Sequence, residues 1–462
     1  MSLRTAAALL IALTLVVSVP AAAQSPPTDS ARRTADTLSL DSLAARLARA
    51  EAAIAILRQQ IADEAESAAH TRSRFHLELS AQILMNAFVT SGRVNNIDVP
   101  LTVLVPPPPG SGPPTNSAFG VTLRQTRLGA ATSVDNVLGG TFAGDIDVDF
   151  FGGVQTASGD RRLFPEPRMR TARARLVWSK TEIMFGSDMP LISGLNPLSL
   201  AAVGTPDFSG AGNLWNWLGQ ARVTQTIGSL GSGAHSVSWA IQGAVMTPYA
   251  AQVAPNDPDL VDLGERSTRP AFEARLRTRW GGDGSLGGGA VSDALLGSPG
   301  GEIGLGVHRG WVATSPGVLQ DSKALAIDAH IVLVPRLEIR GEGYAGQLLR
   351  GLGGGAIGQN FGAPPANAPP NTFGPAIRDA AGWAQINVQP LESLISGVGC
   401  GVDVTNPDDA ATRLQNTVCA AHIDWRPAQP LVFGIEYRQL GTRYSTGIFG
   451  AHHLNFIFGF EL

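Results

Sequence analysis

The sequence predicts an all-β protein: a transmembrane antiparallel β-barrel of about sixteen strands, preceded by a short N-terminal α-helical coiled coil. Three observations predict it. Beyond Arg74 apolar residues recur at every second position to the end of the chain, the period of a strand with two unlike faces. After the N-terminal segment no stretch approaches the roughly 18 uninterrupted apolar residues of a spanning helix. The links between the period-two runs alternate between long and short, as they do in barrels of the bacterial outer membrane.

The chain opens with Met1, Ser2, Leu3 and Arg4, continues through an apolar stretch from Ala6 to Val19, and reaches alanines at 21 and 23. A basic start, a short apolar core and an A-x-A site describe a signal peptide over 1–23, cut after Ala23. The alternative, an uncleaved anchor, would need about 20 apolar residues. Residues 24–36 read as a linker. Over 37–70, Leu40, Leu43, Leu47, Ala50, Ile54, Leu57 and Ile61 occupy the a and d positions of a heptad repeat, and Arg46 and Glu51 stand at g and e to pair between helices. The alternative is one amphipathic helix packed on its own domain. A coil predicts a homo-oligomer without fixing its order, and it offers the cell wall a surface on the periplasmic side.

The barrel occupies 73–462. Its predicted strands centre near Leu79, Leu123, Val148, Ala174, Phe185, Gln220, Ala240, Leu276, Leu305, Ile327, Ile339, Ala384, Gly397, Val418, Ile435 and Phe458. The last is the clearest, with Leu454, Phe456, Phe458, Phe460 and Leu462 on one face and His453, Asn455, Ile457, Gly459 and Glu461 on the other. With 54 Gly and 31 Pro, turn residues are abundant between the runs. A net charge of −4 is too weak a balance to imply nucleic acid. With the first strand rising from the periplasm, the long links, Arg93 to Asn116, Gly153 to Pro167, Pro190 to Ala211, Thr247 to Ser267 and Leu352 to Pro375, fall on the extracellular side. The short ones, such as Val334 to Arg336, fall on the periplasmic side. Gly281 to Gly300 is too long for its place and leaves room for an extra hairpin.

Strand faces follow from cost, because an Arg facing lipid at mid-membrane costs about 2–4 kcal/mol while one facing a wet lumen costs little. Glu273, Arg275, Arg277 and Arg279 share one face against Phe272, Ala274, Leu276 and Trp280. Arg173 and Arg175 stand opposite Ala172, Ala174 and Leu176, and Asp145, Asp147 and Asp149 opposite Ile146 and Val148. Arg124, Glu338, Arg340, Glu342, Glu436 and Arg438 extend the pore-lining set. Arg168 and Arg170 break phase with Arg173 and are expected at the extracellular rim. Arg275, Arg277 and Arg279, with only Glu273 beside them, would form an anion-attracting stripe; ion pairs that merely brace the wall are the plainer account of the Asp145 to Asp149 ladder. The link from Pro190 to Ala211 is apolar, with Leu191, Ile192, Leu195, Leu198, Leu200 and Val203, and apolar loops seek burial. It is expected either to fold into the barrel, bringing Asp188 or Asp207 to a constriction, or to pack between subunits.

Cys400 and Cys419 lie on adjacent predicted strands in an oxidising compartment, where a disulfide bracing the link near Asn406 is expected over two thiols. His452 and His453 point to opposite faces of a strand and cannot share a metal. Gly353, Gly355 and Gly358 have dinucleotide-loop spacing, but Pro364 and Pro365 follow where a helix would be needed. No catalytic constellation, cofactor or metal site is predicted, which leaves a channel or a non-conducting adhesin or envelope tether.

The order of coil then barrel, the stretch Leu123, Arg124, Gln125, Thr126, Arg127, Leu128, Gly129, and the run Ile183, Met184, Phe185, Gly186 resemble the DcaP-like porins, with phosphate-selective porins more distantly similar. The resemblance spans nearly the whole mature chain on short motifs. It implies a trimer of sixteen-stranded barrels in the outer membrane, among lipid and lipopolysaccharide, with a periplasmic N-terminal coil and uptake of small anionic solutes such as dicarboxylates. The chain departs from the pattern in ending on Leu462 where Phe or Trp is usual.

Overall fold

The computed structural model describes residues 76–462 apart from 109, 112–116, 153–162, 233–234, 256, 282–299, 316 and 370–371. The signal peptide, linker and coiled coil expected over 1–70 lie outside the described residues. From its first described residue the period-two pattern is strand: β1 (His76–Ser91), β2 (Ala118–Thr122), β3 (Arg127–Val137), β4 (Gly140–Asp149), β5 (Arg168–Val177), β6 (Thr181–Asp188), β7 (Leu218–Leu230), β8 (Val237–Met246), β9 (Ala271–Gly281), β10 (Gly300–Ser315), β11 (Val318–Val334), β12 (Leu337–Gln347), β13 (Arg378–Leu391), β14 (Leu394–Thr405), β15 (Arg413–Trp425), β16 (Leu431–Tyr444) and β17 (Gly447–Glu461).

Neighbours pair antiparallel in sequence order, and β17 returns to β1 with Leu84 opposite Gly459. Both β2 and β3 pair with β1, Phe119 opposite Val89 and Ala130 opposite Leu79. They are therefore two halves of one strand, and the closed sheet has sixteen positions. Closure removes the unpaired edge, whose backbone groups would each cost several kcal/mol in hydrocarbon. Every predicted centre falls in a strand except Leu123, which lies in the break between β2 and β3. There the Thr126 hydroxyl accepts from the Leu84 N–H at 3.1 Å, a side chain standing in for a ladder carbonyl.

The links sort to two ends. Short ones, at 138–139, 178–180, 335–336 and 392–393, lie at one end, and long ones, at 92–117, 150–167, 189–217, 247–270 and 348–377, lie at the other. Two links at the long-loop end break the expected alternation: only two residues each, 316–317 and 445–446, separate β10 from β11 and β16 from β17. The link at 282–299 lies outside the described residues, but β9 pairs directly with β10, Gly281 opposite Gly300, so no barrel strand comes between them.

The outer face is apolar and exposed, with Leu79, Phe119, Phe185, Leu276, Leu305, Ile327 and Phe458 among its side chains. The core lies inside the cylinder, where the third long link (189–217) packs Leu191, Ile192, Leu198, Leu200 and Val203 against inward apolar residues of the wall. Cys400 and Cys419 are directly opposed on β14 and β15 and bridged, with Cα atoms 4.1 Å apart. They sit in the outer face of the wall, several residues below the link near Asn406 that they flank.

Candidate functional site

The inner surface divides into two walls of different character. The first runs over β12–β17 and β1, and is sealed by the third long link. Leu198 exchanges two hydrogen bonds with the Gln385 side chain, at 2.7 and 2.9 Å. Arg340 donates to the Asn196 carbonyl at 3.0 Å, Asn416 to the Gly210 carbonyl at 2.9 Å, and Ser199 to Glu436. Glu342 takes the Leu214 N–H and the Ser193 hydroxyl. On β1, β16 and β17, Leu84, Val432 and Ile457 turn inward and meet Leu200, Ala201 and Val203. The polar side chains of this wall are buried, and many of its ionisable groups find protein partners. Glu338 is bound by His330, Arg340 and Asn387; Arg438 pairs with Asp207 at 2.9 Å and with Glu436.

The second wall runs over β3–β10; its long-loop end also meets the third link, through Ala244, Met246, Ala271 and Glu273, and below that contact its charges face open lumen. Arg127, Arg173, Arg175 and Arg277 are 40, 30, 32 and 22% exposed. Most of their acidic partners sit on intervening strands: Asp145 binds Arg173 and Arg175 at 2.9 and 3.1 Å, Asp147 pairs with Arg127, and Asp188 takes Arg222 at 2.9 Å and Arg173 at 3.3 Å. None of these carboxylates exceeds 18% exposure. The acids lie back against the sheet and the guanidiniums cover them, so the groups meeting water are mainly cationic donors. The positive charge is only partly cancelled at the surface a solute would touch.

The predicted pore-lining residues all point inward, and the two walls separate them. Asp145, Asp147, Arg173, Arg175, Arg277 and Arg279 belong to the open wall. Glu338, Arg340, Glu342, Glu436 and Arg438 belong to the sealed one. Arg124 is also dry: it sits in the break before β3, paired with Asp98 of the first long link at 3.0 Å and stacked 4.0 Å over Phe151. Asp149 is buried beneath Arg168 at 2.6 Å. Glu273 turns to the Leu191 and Ile192 N–H groups and to His308, and so anchors the third link.

Two expectations are corrected. Arg168 and Arg170 open β5 at the long-loop end, but they do not break phase with Arg173: a β-bulge opposite Asp147 and Val148 adds a residue to β5, so both face inward. Arg168 also donates to the Gly204 carbonyl, and Arg170 lies 4.6 Å over the Trp217 ring. Second, the arginines of β9 do not stand with Glu273 alone. Glu302 of β10 pairs with Arg275 at 3.0 Å and Arg279 at 2.7 Å, and Asp328 binds Arg275 as well. Arg275 is thereby locked and buried, while Arg277 reaches Glu302 only at 4.0 Å. The two constriction candidates separate: Asp188 joins the open wall, whereas Asp207 is sealed against Arg438. Sequence reasoning misses Glu302 and Arg222. Glu302 stands alone among Gly and Ile, and Arg222 has no second charge two residues away to mark a ladder.

No family model and no curated protein matches the chain. Among solved structures it is similar to the outer membrane channel DcaP of Acinetobacter baumannii, with a TM-score of 0.58 at 14% identity over 84% of this chain and 97% of that one. Weaker likenesses include OmpF of Salmonella typhi, with a TM-score of 0.49 at 10% identity over 84% of this chain and 97% of that one. The anion-selective porin from Comamonas acidovorans follows, with a TM-score of 0.47 at 9% identity over 84% and 99%. A closed antiparallel sheet of sixteen positions, apolar outside and charged inside, together with the match to DcaP, gives this chain the fold of an outer-membrane porin.

Proposed function

We propose that the protein is an outer-membrane channel for passive diffusion of small polar solutes, with a preference for anions of dicarboxylate-like or phosphate-like chemistry. The observation that carries this is the exposed guanidinium surface of Arg127, Arg173, Arg175 and Arg277 on the open wall, with its carboxylates withdrawn behind it. In a narrow low-dielectric passage a fixed cationic surface raises the local concentration of anions. The third long link fills the opposite side, so a solute passes along the arginines and not down the barrel axis. In this reading the long-loop end faces outside, the protein assembles as a trimer, and the cleaved chain carries its N-terminal coil in the periplasm. Planar-bilayer recordings under a salt gradient test it: a reversal potential of anion sign is expected, and one of cation sign removes the preference. A folded barrel that passes no current would instead support an adhesin or envelope tether.

A further inference from the structure

The outer face of the barrel carries its basic residues on one side only. Among the described residues no Lys or Arg faces outward on β1–β8. On β9–β13 one continuous register line places Phe272, Arg309, Lys323, Gln347 and Arg378 side by side: Phe272 is opposite Arg309, Arg309 opposite Lys323, Lys323 opposite Gln347, and Gln347 opposite Arg378. Just beyond the row, toward the long-loop end, Trp311 is flanked by the Arg269 and Arg309 guanidiniums at 5.4 and 5.6 Å from its ring. Arg269, Arg309, Lys323 and Arg378 are all exposed. Asp321 offsets Arg309 at 2.8 Å and Asp409 offsets Arg378 at 2.7 Å, while Arg269 and Lys323 form no ion pair among the described residues. On the β9–β11 part of the patch, Arg269, Arg309 and Lys323 against Asp321 thus leave an excess of two positive charges. Elsewhere on the outward strand faces Arg443 is isolated.

The height of the row in the wall gives it meaning. From Lys323 toward the short-turn end, the outward residues of β11 are Leu325, Ile327, Ala329, Ile331 and Leu333. Ten residues at about 3.4 Å each, tilted near 40°, give roughly 26 Å, the height of one lipid-facing apolar band, about 25 Å. Lys323 and Arg309 therefore mark the upper edge of the band, where headgroups begin and where a Trp such as Trp311 is favoured. Cations at that level with unspent charge attract anionic headgroups.

We propose that Arg269, Arg309 and Lys323, with Trp311 beside them, seat the phosphorylated headgroup of an outer-leaflet glycolipid on the β9–β11 face. The inference rests on the outer-membrane reading of the barrel and adds one specific lipid site to it. Adjacent strands are about 4.8 Å apart, so Arg309 and Lys323 can hold one phosphate between them while Arg269 meets a second polar group above. Arg378 is the row's structural member: its hydrogen bonds to Asp409 tie the link after β14 to β13 and hold the Asp409 carboxyl below the usual range.

The test uses the full chain folded in neutral detergent and placed in zwitterionic nanodiscs. Binding is measured for three probes: a bis-phosphorylated glucosamine-disaccharide lipid, the same lipid with its phosphates removed, and phosphatidylglycerol. The phosphorylated glycolipid is expected to bind at least tenfold tighter than either of the others. With each cation contributing roughly fivefold, R269Q/R309Q/K323Q should weaken it about a hundredfold, while R443Q leaves it unchanged. Equal binding by the triple variant or of the dephosphorylated lipid overturns the site. Equal binding of phosphatidylglycerol overturns the choice of glycolipid, and a change of oligomeric state in the triple variant shows that a second copy covers the face. Wild-type chain that fails to enter nanodiscs at all would defeat the membrane reading itself, a result distinct from chain that enters and does not discriminate.

Discussion

The two inner walls are built from the same residue types and do opposite things. On β12–β17 and β1, charges such as Glu338, Glu436 and Arg438 are wholly buried and spend their hydrogen bonds on neighbouring side chains of the wall or of the third long link. On β3–β10, arginines of the same parity are a fifth to two fifths exposed and cover their acids. The difference is made by what stands opposite each wall. Where apolar loop residues press against the sheet, an inward charge becomes a structural tie; where they do not, it stays partly exposed. Facing the lumen is therefore not the same as lining a passage.

The largest effect that could break this contrast comes from the link itself. Deleting Leu195 to Thr205 removes the contacts to Gln385, Glu436 and Gln125 and opens the sealed wall to water. Single-channel conductance should rise, and Glu436 and Arg438 should begin to influence selectivity. An unchanged conductance would mean that the link does not narrow the passage. Next in size is Arg438→Met. It leaves Asp207 and Glu436 as buried carboxylates without their cation, a loss of about 3–5 kcal/mol, read as a lower unfolding temperature in detergent with selectivity unaltered. A cost near zero would show that water already reaches the site.

On the open wall the balance reverses. Replacing Arg173, Arg175, Arg277 and Arg279 with Gln should move the reversal potential toward cations, while each change costs at most about 1 kcal/mol of stability, as partly exposed pairs do. Of the four, Arg277→Gln should be the gentlest on stability, because its ion pair with Glu302 is as long as 4.0 Å. If the quadruple variant keeps its anion preference, the solute path lies elsewhere.

The staves are legible in the sequence, because a period of two survives whatever the loops do: fifteen of the sixteen predicted centres sit within strands. Inside and outside are legible too, since Asp145, Asp147 and Asp149, like Glu273, Arg275 and Arg277, alternate with apolar residues that must meet lipid. Wet and dry are not, because that distinction depends on contacts between residues far apart in the chain, such as Leu198 with Gln385. A trace of the answer is present. Leu84, Val432 and Ile457 are apolar residues among the polar ones on the inward faces of three neighbouring strands, and such residues mark where a loop must land. The β5 bulge leaves no such trace, because it is defined by the partner strand, and a strict period of two misplaces Arg168 and Arg170 for that reason.

The smallest expected effect separates the walls without any mutation. Screening reaches only charges that ions can approach: the Debye length falls from about 10 Å at 0.1 M salt to about 3 Å at 1 M. If selectivity comes from the exposed guanidiniums of β3, β5 and β9, the permeability ratio should decline steadily over that range. Pairs such as Arg438 with Asp207, both buried, are screened far less, so the unfolding temperature should change little over the same range. Selectivity that ignores salt would point to charges inside the sealed wall or to a steric filter, and stability that falls in step with selectivity would mean that the two walls share one water-filled space.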